Sequence, residues 1–147
     1  MNARPDTNAV LNKLLILHNR SLPEYLAFAP PWHLRNNVAF LDVLTNVVTL
    51  QKAMVDRIGS MLLANGVAPD YGEFPMSFTA LHDLSPEFLL KKMVERQETE
   101  ITYIEKCVSL LSMAPYAQAV AQEALGEAKG HLAALKEVTA SEPAFVQ

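Results

Sequence analysis

The sequence has little cysteine: Cys107 is the one thiol among 147 residues. A single thiol excludes an intrachain disulfide and a zinc site built from several thiolates. Long hydrophobic runs are missing too, since stretches such as LLIL at 14–17 and MLLA at 61–64 are far shorter than the roughly 20 apolar residues that span a bilayer. The sequence therefore predicts a protein without structural disulfides and without contact with a membrane.

Basic tracts are absent as well. The 12 Lys and Arg residues are outnumbered by 16 Asp and Glu residues, which gives a net charge of −4 with both signs interspersed. This balance argues against a nucleic-acid partner. The first residues, MNARPDTN, show no apolar stretch followed by a small-residue cleavage site, so no secretory signal is predicted. We expect a cytoplasmic protein.

Strand-like alternation and internal repeats are not found, whereas helical periodicity is strong. Apolar residues recur at spacings of three and four in four segments, and half of the chain is hydrophobic, which predicts an all-α protein. One domain covers residues 1–147, with an ordered core of about 6–139. The core stripes are Leu11, Leu15, His18, Leu22, Tyr25; Leu44, Val47, Gln51, Met54, Ile58, Met61; Leu90, Val94, Gln97, Ile101, Ile104, Val108, Leu111; and Ala121, Ala124, Ala128, His131, Leu135, Val138.

Capping residues set the helix ends. The first helix runs from about Asp6 to Phe28, and Pro23 makes it kink or restart, with the capping-box pattern Ser21–Glu24 favouring a restart. The second begins near residues 36–37 and stops at 65–66, where Asn-Gly is a C-cap pair. Ser-Pro-Glu at 85–87 starts the third, and the fourth runs from 115 to about 139.

The connection Val67–Leu84 is too long for a tight turn. The second helix is about 43 Å long at a rise of about 1.5 Å per residue. An extended chain the length of the connection reaches roughly 60 Å. It can therefore run along a whole helix, which predicts a four-helix bundle made of two antiparallel hairpins joined by a long crossover.

Each predicted helix carries a polar or soft residue near the midpoint of its core stripe. These residues are His18, Gln51 with Met54, Gln97 and His131. Facing helices of a bundle build buried sites in this way, so all five are candidate metal ligands. Neutral imidazoles suit zinc, copper or iron, and the nearby thioether favours copper(I). The alternative is that the two histidines are simply hydrogen-bonded to the two glutamines and that Met54 fills the core.

Three segments resemble the ferritin-like superfamily, and bacterioferritins in particular. LNKLL at 11–15 is similar to the start of that family's first helix, MVDRIGSMLLANGVAP at 54–69 to its second helix and exit loop, and GHLAAL at 130–135 to its closing Glu-x-x-His helix. The resemblance covers nearly the whole chain in order and spacing. It implies the ferritin-like fold with one long crossover.

The resemblance also implies where a di-iron site would lie. The family takes a glutamate from helix 1, Glu-x-x-His from helix 2, a glutamate from helix 3 and Glu-x-x-His from helix 4. The corresponding residues here are His18, Gln51 with Met54, Gln97, and Ala128 with His131, so His131 alone is kept. Lys52 stands where bacterioferritins have the methionine that binds haem, which makes haem unexpected and leaves no residue assigned to an organic cofactor.

Other chemistry-bearing residues have ordinary interpretations. The acidic run Glu95, Glu98 and Glu100 is interpreted as a solvated face with lysines nearby. Cys107 lies beside a core position and is expected to be a small buried hydrophobe. Trp32 is expected to cover one end of the bundle. The sequence shows no pattern of a nucleophile triad and no glycine-rich phosphate loop.

These observations leave the function open between three hypotheses. The first is a degenerate ferritin-like protein without di-iron chemistry that serves as a binding or assembly module. The second is a metal-binding oxidoreductase or storage protein with an altered His/Met/Gln site, and the third is a pocket for a small ligand in the bundle core. Whether the chain is an enzyme stays open, and so does its cofactor: none, or a single copper, zinc or iron. A homo-oligomer is expected, at least a dimer but not a 24-chain cage, with Trp32 and Phe40 able to supply its apolar surface.

Overall fold

The structure, a computed structural model, describes residues 6–31 and 37–141, and each regular element in these ranges is helical. The all-α prediction is therefore confirmed for the described residues. Trp32 lies outside them. The helices are α1 (Thr7–Asn19), α2 (Leu22–Phe28), α3 (Val38–Ala64), α4 (Pro86–Leu110) and α5 (Pro115–Ser141), and a 3-10 helix spans Met76–Leu81.

Local capping explains where the helices begin. The predicted restart is confirmed, because α1 ends at Asn19 and the Ser21 hydroxyl accepts a hydrogen bond from the Glu24 N–H (3.3 Å) to start α2. The Asn37 side chain caps α3 in the same way. The predicted Ser-Pro start of α4 is also confirmed, with the Ser85 hydroxyl accepting from the backbone of the first turn.

Contacts at the helix ends give the directions of neighbouring helices. The Asn65 side chain at the end of α3 donates to the Asn8 side chain at the start of α1 (2.8 Å), so these helices run antiparallel. The Gln118 side chain in the first turn of α5 donates to the Val108 carbonyl near the end of α4 (2.9 Å), so this pair is antiparallel too. In addition, α3 packs against α5 and α1 packs against α4.

The connection between α3 and α4 lies along α1 and α2. The Asn12 side chain and the Asp70 backbone exchange two hydrogen bonds (3.0 and 2.9 Å), and Arg20 donates to the Gly72 carbonyl (2.9 Å). Gly72 has φ +69°, and a Cβ there would approach the Ile16 side chain to 2.7 Å, so this position requires glycine. The 3-10 helix follows, in a segment for which the sequence shows no sustained period.

Two apolar clusters fill the interior. The alanine-rich cluster contains Val10, Leu11, Leu14, Leu15, Met54, Val55, Ile58, Leu62, Ile104, Cys107, Leu111, Ala117, Val120, Ala121, Ala124 and Ala128. The aromatic cluster contains Leu22, Tyr25, Leu26, Phe40, Leu44, Val48, Phe78, Leu89, Leu90, Met93, Leu135 and Val138. Along α3, α4 and α5, the buried residues between the two clusters are polar.

The buried face of α4 is shifted from the predicted one. Val94, Ile101 and Val108 are only partly buried, whereas Met93, Glu100 and Cys107 are buried. The reason is that α4 contacts α1 and α2 as well as α5, and these additional neighbours cover the row one residue earlier. The burial of Cys107 agrees with its expected role as a small hydrophobe. The solvated-face interpretation is wrong for Glu100.

The helix α3 has the length and composition of a membrane-spanning helix. Its most apolar 18 residues have a mean hydropathy of 1.4, and 39% of that window is buried inside the protein. A core helix of a water-soluble protein has the same character, so composition alone is weak evidence here. The absence of a membrane contact stays a prediction.

Candidate functional site

A polar layer separates the two clusters. It comprises His18 at the end of α1, Ser21 before α2, Gln51 on α3, Gln97 on α4 and His131 on α5, and none of these residues is more than 7% exposed. Four of the five candidate residues are thus buried and belong to neither apolar cluster. The fifth, Met54, is 3% exposed and belongs to the alanine-rich cluster, which is the position of a core-filling methionine. Metal binding by any of the five stays a prediction.

The hydrogen bond of His18 determines its tautomer. Its Nδ1 lies 2.7 Å from the Leu14 carbonyl oxygen, and a carbonyl can only accept. The proton is therefore on Nδ1, and Nε2 keeps its lone pair. Burial lowers the pKa of His18, while the Leu14 carbonyl acts in the opposite direction, so the ring is neutral at neutral pH.

His131 is the second neutral imidazole of the layer. Burial lowers its pKa to about 4, and the nearby His18 contributes to the same shift. His18 disfavours protonation of His131 because two cations in one interior would repel each other. The layer therefore holds two neutral imidazoles from α1 and α5.

The two glutamines have partners other than the histidines. The Ser21 hydroxyl donates to Oε1 of Gln51 (2.7 Å), and Nε2 of Gln97 donates to the Ala128 carbonyl (3.1 Å). No bond between a histidine and a glutamine of the layer occurs in the described ranges, so that part of the prediction is wrong. The break before α2 brings in the Ser21 hydroxyl, and the small side chain of Ala128 leaves its carbonyl accessible to α4.

Two buried carboxyl groups next to the layer are not among the residues that the sequence predicts for it. Glu100 is 7% exposed, and burial raises its pKa to about 7, against the opposing charge of Arg96. Glu24 has the same exposure, and its Oε1 is buried without a hydrogen-bond partner in the described part of the chain. Burial raises the pKa of Glu24, while Lys52 and Arg20 lower it. Each has a signal in the sequence. Glu100 lies seven residues from both Met93 and Cys107 and therefore on the same face of the helix, and Glu24 belongs to the capping box that begins at Ser21.

The donor set does not fit a di-iron centre. Such a centre needs several carboxylates to neutralise and bridge two hard cations, whereas the candidate ligand positions here hold neutral amides, imidazoles, a thioether and Ala128. Among residues 6–31 and 37–141, no group of three or more His, Cys, Asp or Glu side chains is arranged to hold a metal ion. The layer instead offers hydrogen-bonding groups and lone pairs without net charge.

No protein-family model, curated protein or solved structure matches the chain. Its function is therefore inferred from the residues of the layer and from their contacts.

Proposed function

We propose that the chain is a ferritin-like four-helix protein that has lost di-iron chemistry and serves as a binding or assembly module. Two features of the fold support the ferritin-like part. The pairs α1/α3 and α4/α5 are antiparallel, and the connection between them lies along α1 and α2 instead of closing a tight turn. A long crossover of this kind distinguishes ferritin-like folds from simple up-and-down bundles.

The observation that carries the loss of di-iron chemistry is the neutrality of the layer. Gln51 and Gln97 keep the shape of carboxylates without their charge, and Oε1 of Gln51 and Nε2 of Gln97 are used in hydrogen bonds to the protein itself. Buried polar groups that are satisfied internally stabilise one arrangement of the helices. They do not leave anionic oxygens for iron.

The binding or assembly role is proposed from the surface. Leu110, Met113 and Tyr116, which lie close together around the turn between α4 and α5, are 41%, 71% and 88% exposed, and a group of exposed apolar side chains favours self-association. Phe40 cannot contribute as expected, because it is 1% exposed. We propose a cytoplasmic homodimer or larger oligomer without a nucleic-acid or membrane partner. Light scattering at micromolar concentration tests it, and a monomer would refute the oligomer.

Iron provides the test of the main proposal. Protein purified without chelator should retain no stoichiometric iron, and aerobic iron(II) oxidation should be no faster than in buffer. A matched variant, Gln97→Glu, should leave both results unchanged, because one added carboxylate cannot build a bridged centre. Two irons per chain, or oxidation well above the buffer rate, would refute the proposal. Native mass spectrometry of the same sample reports any organic molecule held in the layer.

A second candidate function is an altered metal site, and the tautomer of His18 favours it. With Nδ1 donating to the Leu14 carbonyl, the free lone pair is on Nε2, as in metal-binding histidines whose other nitrogen is fixed by a carbonyl. His131 would supply a second imidazole, and Met54, Gln51 and Gln97 the remaining contacts. Imidazole with thioether suits copper(I).

Competition with a coloured copper(I) chelator tests the second candidate. If the site exists, the protein withdraws one copper per chain, and His131→Gln and Met54→Leu each weaken binding, whereas His82→Gln outside the layer does not. Equal copper uptake by all four proteins would exclude a site in the layer. If the wild type takes up no copper, the second candidate is excluded and only the main proposal remains.

A further inference from the structure

A groove lies between the 3-10 helix and α4, away from the polar layer. Its volume is about 330 Å³, which is within the range of small-molecule sites. Phe78 and Leu81 form its apolar side, and Lys92, Glu95 and Arg96 form its charged side. Lys92 and Arg96 are four residues apart on α4, so both cations lie on the same face of the helix.

The Arg96 guanidinium is held in place, and one of its donors has no hydrogen-bond partner among the described residues. Its central carbon lies 4.7 Å from the centre of the Phe78 ring, which restricts the orientation of the planar group. Its Nε–H is buried and has no hydrogen-bond partner in the part of the chain that the structure describes. The described ion pairs, Arg57–Glu123 and Lys92–Glu95, do not include Arg96. A buried donor without an acceptor is unfavourable, so a ligand with acceptor oxygens would remove this cost.

The charges of the groove select the ligand. Lys92 and Arg96 are cations and Glu95 is an anion, and the Lys92 ammonium is 3.7 Å from the Glu95 carboxylate. Together these three lining residues have a net charge of +1. This charge matches a monoanion, and Glu95 disfavours a phosphate dianion. The apolar side matches a hydrocarbon or aryl body. We propose that this groove binds a small organic monocarboxylate, with its carboxylate on Arg96 and its apolar body against Leu81.

The experiment uses 4-phenylbutyrate as the probe and 4-phenylbutanol as its neutral counterpart. Titration of the full chain, followed by amide NMR, should shift signals in the 3-10 helix and in α4 from Lys92 to Thr99. The alcohol should bind at least about tenfold more weakly, because a charge-assisted hydrogen bond is worth that much or more. Arg96→Gln should weaken phenylbutyrate binding by a similar factor.

Controls separate this site from general charge effects. Lys106→Gln removes one cation from an exposed position on the same helix and should leave the affinity unchanged. Lys92→Gln should weaken binding several-fold and serves as the second variant if Arg96→Gln does not fold. The proposal is overturned if the alcohol binds as tightly as the acid, if neither groove variant differs from Lys106→Gln, or if the shifts lie on other surfaces. Failure here would not affect the iron result.

Discussion

The alanine-rich and aromatic clusters are built differently although both are fully buried. The first is made where four long helices meet, and α5 contributes Ala117, Ala121, Ala124 and Ala128 to it. Small side chains there let α5 approach its neighbours closely. The second needs rings, and one of them, Phe78, comes from the 3-10 helix of the connection. The stability of the alanine-rich cluster therefore depends on close spacing of the helices. The stability of the aromatic cluster depends on the contact that Phe78 makes from the connection.

The largest effect is expected in the aromatic cluster. Phe78→Ala removes a ring that is 1% exposed and contacts both Tyr25 (5.4 Å between ring centres) and Arg96. A loss of about 3–5 kcal/mol in the free energy of unfolding is expected, measured by urea denaturation. Phe88→Ala is the control, because Phe88 is 46% exposed. Equal losses in the two variants would show that the connection does not contribute to the core.

Overpacking should be the most effective way to disturb the alanine-rich cluster. Ala124 is 0% exposed, so Ala124→Leu forces three extra carbons into close-packed helices, and a loss of about 3 kcal/mol is expected. Ala119→Leu places the same side chain at an exposed position of α5 and should cost less than about 0.5 kcal/mol. If denaturation curves show Ala124→Leu to be as stable as Ala119→Leu, α5 does not pack closely.

The stability contribution of the polar layer between the clusters should depend mainly on the Gln51 acceptor. Gln51→Leu removes the acceptor of the buried Ser21 hydroxyl and should cost roughly 1–3 kcal/mol in the free energy of unfolding. Replacing His18, Gln51, Gln97 and His131 together by well-packed apolar residues should cost about as much as Gln51→Leu alone, because the Ser21 hydroxyl is again unpaired whereas the other three desolvated side chains are removed. A quadruple variant with a much larger loss than Gln51→Leu would mean that the layer is held by something other than these hydrogen bonds.

The pH dependence of stability should be small because two groups act in opposite directions. The pKa of His131 is about 4 in the folded chain against an ordinary 6.5, so the unfolded chain takes up the proton first and stability falls as pH drops below 6.5. The pKa of Glu100 is about 7 against an ordinary 4.5, so the folded chain binds more protons between these values and stability falls as pH rises through them.

Single variants separate the two groups. Thermal unfolding of Glu100→Gln should show a steeper loss of stability from pH 7 to pH 5, because the opposing carboxyl group is gone. His131→Gln should show the reverse, with higher relative stability at pH 5 than at pH 7. Identical pH profiles for both variants and the wild type would mean that neither group is buried in solution.

The sequence could predict what depends on local chemistry. The Ser21 and Ser85 caps, the all-α class and the burial of Ala121, Ala128 and His131 follow from capping residues and helical spacing, and the structure agrees. The choice between two adjacent rows of α4 does not follow from spacing, because it depends on which neighbours cover the helix. For that reason Glu100 was assigned to the solvated face.

The candidate site was predictable in place but not in detail. His18, Gln51, Gln97 and His131 were identified as interruptions of apolar stripes, which requires only the helical period. Their hydrogen-bond partners depend on distances of a few ångströms between helices, and Ser21 enters only because the chain restarts before α2. The sequence does not identify Phe78 as a core residue, because its segment shows no regular period and its burial results from contacts with Tyr25 of α2 and Arg96 of α4.

The most direct test of a neutral, internally bonded layer is the nitrogen NMR spectrum of the histidine side chains. At pH 7, His18 should be neutral with its proton on Nδ1, as required by the Leu14 carbonyl, and His131 should stay neutral until the pH approaches its pKa of about 4. Neither signal should change when a strong chelator is added. A protonated His18 at pH 7, a proton on its Nε2, or chelator-dependent shifts of either ring would contradict the account.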